Sequence, residues 1–516
     1  MPVFRCDCPT TERRRRLTAV VAQGERPREN LQDRGKTSSS PLGHGNLAAR
    51  RHAVIWCGAP VADYETLRQR HVARFGELLP DLIARLAWTP ERLRDERRAS
   101  LRAILAHAKA RSPWHGRRLA GVDVERMEEI DLRSLPTMTK DDLMAHFDEI
   151  VVDPRLTRDV VEVHLAGLTT DAYLLDEYHA CASGGSSGRR GTFVYDFEGW
   201  VVTFLSMVRF SMRMAAEVTG GSVTPMAMIM ADKASHMTSA FAQTFPPPGG
   251  DIERLPATMP LGRIVARLNA IQPVYLTGYS SMIHQLAHEA SAGRLRIAPR
   301  LVGVGSEPVL PEIRKAVTEA WRAPLFNGFG STEGLMGGSC SAGQGIHLSD
   351  DLFVIEPVNA HGAAVPPGER AAKILLTSLV NRAQPLVRYE LSDEVTVLGG
   401  PCPCGSGLLR IDDIQGRLDD CFTYRGGPTV HPFTFRSPLG RDRHVVEYQV
   451  RQTARGADVL VVAQAAVDTE RLAATLRSAL AEQGLVDAEV TVTRVEALER
   501  QVTGKLRRFV PLPPSS

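Results

Sequence analysis

Apolar residues between positions 64 and 119 recur at threes and fours: Leu67, Val72, Phe75, Leu78, Leu79, Leu82 and Ile83, then Leu101, Ile104, Leu105 and Ala108. That period predicts amphipathic helices, the second stopped at Ser112-Pro113. The stretch 135–143 predicts a turn and a short helix with Thr139 as N-cap and two aspartates in its first turn. A long amphipathic helix follows at 198–217. Beyond it, short apolar runs predict strands at 227–230, 274–278, 301–305 and 324–326, with helices at 282–292 and 310–321. Such alternation predicts a parallel or mixed sheet with covering helices. Ligands in these folds collect beyond the C-terminal strand ends, where Tyr279-Ser280, Ser306-Glu307-Pro308 and Phe329-Gly330 fall.

After Gly337 the texture turns to strands, at 352–356, 373–378, 393–398 and 408–411. The last hundred residues predict a small α+β unit: strands at 445–449, 459–464 and 489–495, and a helix at 469–483 with Leu472, Leu476 and Leu480 on one face and Gly484 as its stop. The expected fold is therefore α/β, a large N-terminal domain over 51–418 and a small C-terminal domain over 419–516. Residues 1–50 show no hydrophobic period and read as a disordered leader or an over-long start, with Cys6 and Cys8 as incidental thiols.

Composition narrows the function mainly by exclusion. The 516 residues, 43% of them hydrophobic, suffice for two domains. Lys plus Arg (62) nearly balance Asp plus Glu (59), and a net charge of +3 argues for neither nucleic acid nor membrane as partner. No apolar run approaches the ~20 residues of a membrane helix, and 17–22 is too short for a secretory segment. A cytoplasmic location is the resulting expectation. Eight cysteines are too few for a disulfide scaffold.

The candidate chemistry begins at 181–195, CASGGSSGRRGTFVY. Ser183, Gly184, Gly185, Ser186, Ser187 and Gly188, followed by Arg189 and Arg190, offer backbone N–H groups, hydroxyls and charge to a polyphosphate; a flexible loop is the other reading. A Walker loop is excluded because no lysine follows the glycines, and Gly504-Lys505 precedes leucine. Kinase elements are missing as well. In order along the chain stand the Gly-rich loop, Phe329-Gly-Ser-Thr-Glu333, Arg388-Tyr-Glu-Leu-Ser-Asp393, Gly416-Arg-Leu-Asp-Asp420 and Thr503-Gly-Lys505.

With these segments in this order, the chain resembles the acyl- and aryl-adenylating ligases, most closely their phenylacetate-coenzyme A ligase-like branch. LPTMTKDDL at 135–143 and YLTGYSSMIHQLA at 275–287 extend the resemblance from about Trp88 to Phe509. It implies an AMP-forming acid-thiol ligase that joins a carboxylic acid to AMP and passes the acyl group to coenzyme A, using ATP with Mg²⁺. It also implies the roles that follow. The Gly-rich loop wraps the β- and γ-phosphates, Glu333 holds Mg²⁺ and Thr332 meets the α-phosphate. Asp393 takes the ribose hydroxyls, Arg417 assists, and Phe329-Gly330 with Ser306, Glu307 and Pro308 surrounds the adenine. Lys505 is the catalytic cation, Asp419 the hinge of a mobile C-terminal domain, and Gly426 and Gly427 line the coenzyme A channel.

Three departures stand out: Arg190-Gly191 where many members have Pro followed by Lys or Thr, Ser392 for the usual glycine, and Glu390 for the usual arginine. Other readings stay open. The acyl or AMP group could pass to an amine or a carrier protein, or the chain could be a non-catalytic nucleotide- and zinc-binding descendant. The acid pocket is expected between 226–241 and the Tyr279 loop, with His236 and Tyr279 as lining candidates for an apolar or aromatic acid; a packed histidine and a core tyrosine are the alternatives. Cys340, His347, Cys402 and Cys404 form a tetrahedral zinc set or else separate reduced thiols, while Cys421 and Cys181 read as packing or loop residues. Oligomeric state has no sequence signature, and a homodimer stays open.

Overall fold

The computed structural model describes residues 63–183, 191–231, 233–245, 252–343, 345–412, 414, 416–417, 420–442, 444–463, 465–501 and 505–512. Residues 1–50, read as a leader, and Asp419, the expected hinge, lie outside them. An eight-stranded sheet dominates. Its parallel half runs, in spatial order, Ile252–Pro256, Met226–Met230, Tyr275–Tyr279, Leu301–Gly305 and Leu325–Gly330. Antiparallel pairing then adds Met336–Ser339, Ile346–Leu348 and Arg410–Ile411.

The parallel strands read as apolar runs because helices cover them. Leu301–Gly305 is buried at every position, and Ala227, Ile229, Leu276, Val302 and Val304 pack with Ile264, Leu268, Ile283, Leu286 and Val317. Helices start where the sequence supplies caps. Thr139 accepts from the Asp142 amide, as expected, and Asp196 accepts from the Gly199 amide at 2.7 Å to begin Phe197–Thr219. That helix buries Trp200, Leu205, Phe210 and Met214.

Two three-stranded sheets follow. One holds Phe353–Val358, Lys373–Ser378 and Tyr389–Leu391; the other holds Arg370–Ala371, Asp393–Thr396 and Gly416–Arg417. The second is tied to the large sheet: Leu398 N donates to Arg410 O at 2.8 Å and Asp412 N to Thr396 O at 2.9 Å. The C-terminal four-stranded sheet has the order Glu489–Arg494, Gly456–Ala463, Val445–Gln452, Phe509–Val510. Leu472, Leu476 and Leu480 of helix Thr469–Glu482 pack on it, and Gly484 follows with φ +93°. Leu310 and Ile313, which lie beside the turn after Leu301–Gly305, belong to the same core.

The expected α/β architecture with a smaller C-terminal α+β unit is present. One expectation needs correction. The strand read at 324–326 continues to Gly330, so Phe329 and Gly330 lie within it and not in a loop beyond its end. The cause is the antiparallel partner Met336–Ser339, whose Gly337 and Met336 oppose Phe329 and Gly330. Among the described residues no helix is long and apolar enough to cross a membrane.

One buried charge pair fastens the long helix to the sheet's flank. Arg209 donates to both oxygens of Asp351 at 2.8 and 2.5 Å, with both side chains fully buried. Removing Arg209 leaves the buried Asp351 carboxylate without its hydrogen-bonded partner and with only Arg85 Nη1, 4.0 Å away. Arg209→Leu should therefore lower the unfolding free energy by about 3–5 kcal/mol, read as a lower urea midpoint followed by tryptophan fluorescence.

Candidate active site

Ser183 closes the base of the Gly-rich loop. Its N–H donates to Gly191 O at 2.8 Å and its Oγ accepts from Gly191 N at 2.7 Å, at the mouth of the hairpin His179–Ala182/Thr192–Tyr195. Gly184, Gly185, Ser186, Ser187 and Gly188 lie outside the described residues. A Cβ on Gly191 would come within 2.9 Å of the Phe193 ring and 3.3 Å of Ser183 Oγ. A side chain here would have to push the buried Phe193 ring aside, at a position where many members of the resembling family carry a lysine or threonine.

The hairpin reaches the other segments through its aromatic residues. Tyr195 donates its O–H to Thr332 O at 2.6 Å, and Phe193 meets Tyr389 edge-on at 6.3 Å. Tyr389 in turn points its O–H at Glu333 Oε1, 3.5 Å away. Glu333 is buried on the turn after Leu325–Gly330, where Gly334 adopts φ +103°. Burial raises the Tyr195 pKa, with Cys181 and Glu333 adding to it, so this phenol stays a donor. Asp393, also buried, stands directly opposite Arg417 in the strand pair. The Glu390 departure has a structural explanation. Alternation along the strand turns Glu390 away from Tyr389 to pair with Lys373 at 2.7 Å, while Arg388 holds Glu356 through two bonds at 3.0 and 3.1 Å.

Lys505 sits at the C-terminal ends of the parallel strands. Its Nζ lies 5.7 Å from the ring centre of Tyr279, the last residue of its strand. Tyr279 is fully buried and its O–H oxygen accepts from Ala231 N at 3.0 Å, at the end of the adjacent strand. His236 feels the same lysine. Burial first, and then the Lys505 charge, bring its pKa down to about 3, which leaves a neutral imidazole whose Nδ1 has no protein partner. Ala182 N donates to Ser235 O at 3.0 Å, so the His236 turn adjoins the base of the Gly-rich loop. Ser306 turns the chain after Leu301–Gly305 in the left-handed region, φ 63°, and Pro308 continues that turn. Its neighbour Glu307 accepts from Leu506 N at 2.9 Å.

The structure thus draws Ser183, His236, Tyr279, Glu307 and Lys505 into one chain of contacts, and Thr332, Glu333 and Tyr389 into another that shares the hairpin. Gly426 and Gly427 are elsewhere. They form the exposed tip of the hairpin Phe422–Thr423/Thr429–Val430, Gly426 with φ +68°, and Gly427 faces Tyr424 and Leu485. Tyr195 and Tyr389 stand in the segments 181–195 and 388–393 but were given no role, because a tyrosine's burial and partner cannot be read from its neighbours in sequence.

Cys340, His347, Cys402 and Cys404 converge, their ligand atoms all within 4.8 Å of one another. Cys340 Sγ and Cys402 Sγ are 3.3 Å apart, as are Cys404 Sγ and His347 Nε2. His347 Nδ1 faces Leu408 O at 3.1 Å, an arrangement that puts the proton on Nδ1 and leaves Nε2 as a ligand. Arg410 and the Ala342 amide point at the sulfurs of Cys402 and Cys340. Three thiolates and one imidazole so placed fit a four-coordinate soft metal. A second cluster was missed. Glu394, Cys421 and His431 approach within 4.8 Å of one another, so Cys421 belongs to a polar group and not simply to packing. Arg370 already donates to Glu394, and His431 Nε2 lies 2.5 Å from the same carboxylate, so Glu394 already has a cation in Arg370.

No family model matches the chain. The phenylacetate-coenzyme A ligase of Thermus thermophilus is 25% identical over 383 residues, covering 70% of this chain and 78% of that one. Among solved structures, 2-hydroxyisobutyryl-CoA ligase in its postadenylation state, in complex with R3-HIB-AMP, superposes with a TM-score of 0.64 at 18% identity, covering 83% of this chain and 91% of that one. In its thioesterification state the same ligase, again at 18% identity with 83% and 91% covered, superposes with a TM-score of 0.52. The chain therefore has the fold of the adenylate-forming acyl-coenzyme A ligases and is related to the phenylacetate-coenzyme A ligases.

Proposed function

We propose that the protein activates a carboxylic acid, aromatic or otherwise apolar, with ATP and transfers it to coenzyme A. The observation that carries this reading is Lys505 seated over Tyr279 at the strand ends, with the next amide bonded to Glu307. In the first step a carboxylate oxygen attacks the α-phosphorus of ATP and pyrophosphate leaves. Two anions must be held in line, and the charge developing between them needs a fixed cation. Lys505 is that cation. Thr332 contacts the α-phosphate, the loop closed by Ser183 and Gly191 wraps the β- and γ-phosphates, and Asp393 takes both ribose hydroxyls beside Arg417. The adenine lies between the Ser306-Glu307-Pro308 turn and Phe329-Gly330. Glu333, a buried carboxylate on a fixed turn, suits a magnesium ion, which would neutralise phosphate charge.

In the second step the coenzyme A thiolate attacks the acyl carbonyl and AMP leaves. The small domain, from about Asp419 onward, moves between steps and carries Lys505 out, with Gly426 and Gly427 lining the thiol's path. Neutral His236 and buried Tyr279 line the acid pocket, with Lys505 as the cation beside them for the carboxylate, and the uncharged rings favour an apolar acid. The four-residue Cys/His cluster holds structural zinc. A cytoplasmic location belongs to the same reading.

Three outcomes are expected. A panel of aryl and fatty acids with Mg-ATP should include acids that release pyrophosphate; silence across the panel would remove the adenylation reading. Lys505→Ala should abolish pyrophosphate release while thioester formation from supplied acyl-adenylate stays within about threefold of wild type, since the lysine acts on one half-reaction only. Protein purified without added metal should carry about one equivalent of zinc by elemental analysis, lost in Cys402→Ser; less than about half an equivalent in the unmutated chain would count against the site.

A further inference from the structure

A continuous polar bridge joins the flank of the large sheet to the C-terminal sheet, and it ends beside Lys505. Glu447, on the strand Val445–Gln452, is 1% exposed. One of its oxygens accepts from Arg500 Nη2 at 2.6 Å and the other from Gln285 Nε2 at 2.6 Å. Gln285 belongs to the helix Ser280–Ser291, on the opposite side of the bridge. Arg500 also donates from Nη1 to Ser281 Oγ at 2.9 Å, in the first turn of that helix. The Ser281 N–H donates to Glu307 Oε2 at 2.8 Å, and Glu307 Oε1 accepts from Leu506 N at 2.9 Å. Ser280 Oγ holds the Glu307 carbonyl at 3.0 Å.

Such a bridge is a poor way to gain stability alone. Burial pushes the Glu447 carboxyl up, and Arg500 and Arg508 pull it back. Apolar residues of similar volume would pack there at lower cost. What buried hydrogen-bonded charges supply is orientation, because each bond has a direction and a length. Here the orientation is delivered to Leu506, one residue from Lys505. Three of these bonds, Gln285 to Glu447, Arg500 to Ser281 and Leu506 to Glu307, join 280–307 to 447–506, so displacing the C-terminal sheet must break the bridge.

We propose that Glu447, Arg500 and Ser281 form a clamp that positions Lys505 for the adenylation step and is released for the thioester step. The inference rests on the function proposed above. None of the three touches a substrate in that reading; they are positioning residues acting through Glu307 and Leu506. Release requires no covalent change, only exchange of the bridge's hydrogen bonds for bonds to water.

The test compares half-reactions and adds a readout that needs no substrate. Glu447→Gln keeps the side chain's shape and removes its charge. It should slow pyrophosphate release about tenfold and leave thioester formation from supplied acyl-adenylate within about twofold. Ser281→Ala, which strands no buried charge, should give the same split at about threefold, so a folding defect in the first variant does not decide the matter. In both, deuterium exchange at the Leu506 amide should accelerate. Equal losses in both half-reactions, or unchanged Leu506 exchange in an active enzyme, would overturn the clamp and leave the reaction standing. A wild-type chain that releases no pyrophosphate with any acid, while Leu506 exchange still rises in Glu447→Gln, would instead overturn the adenylation reading and support the bridge.

Discussion

Five parallel strands that end on one side of a sheet set where the other parts of this protein can go. A parallel strand must be followed by a crossover, so each strand end opens into a turn, and neighbouring turns converge on one strip of surface. Tyr279, Ser306 and the His236 turn stand on that strip because of their position after a strand. The segment carrying Lys505 comes from far along the chain and has no strand of its own there. Its location depends on what the strip offers it: the aromatic face of Tyr279 and the carboxylate of Glu307.

Much of this was legible in the sequence, for reasons that can be named. Leu301–Gly305 and Lys373–Ser378 have the bounds read from their apolar runs, because their centres, Val302 to Val304 and Ile374 to Leu376, are buried positions that take apolar side chains or glycine. Thr139 was visible as a cap since its hydroxyl and the aspartates after it serve the free amides of a helix start. Other elements left little trace. Met336–Ser339 reads MGGS, which has neither period nor β-branched residues, and it is a strand because Phe329 and Leu348 flank it. Phe433–Arg441 contains Pro438 and Gly440, which ordinarily argue against a helix.

The site followed the same division. Cys340, His347, Cys402 and Cys404 could be grouped by residue type alone, and the chain brings them together. Glu394, Cys421 and His431 could not, since no spacing relates them and Cys421 reads as a packing residue until the strands around it are placed. Glu447 and Arg500 have the sequence character of solvated charges, and only the tertiary structure buries Glu447 and turns it toward Gln285. Charges whose partners are distant in sequence are the hardest to read, because burial and not pattern gives them meaning.

The pairing of 396–398 with 410–412 has a mechanical side. Asp393 begins the strand whose last residue, Thr396, accepts from Asp412 N, and just beyond it Leu398 N donates to Arg410 O, so the strand is bonded along Arg410–Asp412. That segment pairs with His347 and Ile346, and His347 belongs to the Cys/His cluster that also gathers Cys402 and Cys404 from the intervening loop. Whatever fastens those four side chains therefore holds the loop between 398 and 410 at fixed length, and a loop of fixed length cannot slip by a residue. Since a slip of one would turn every side chain of the strand to its other face, the cluster acts as a dowel that keeps Asp393 in register with Arg417.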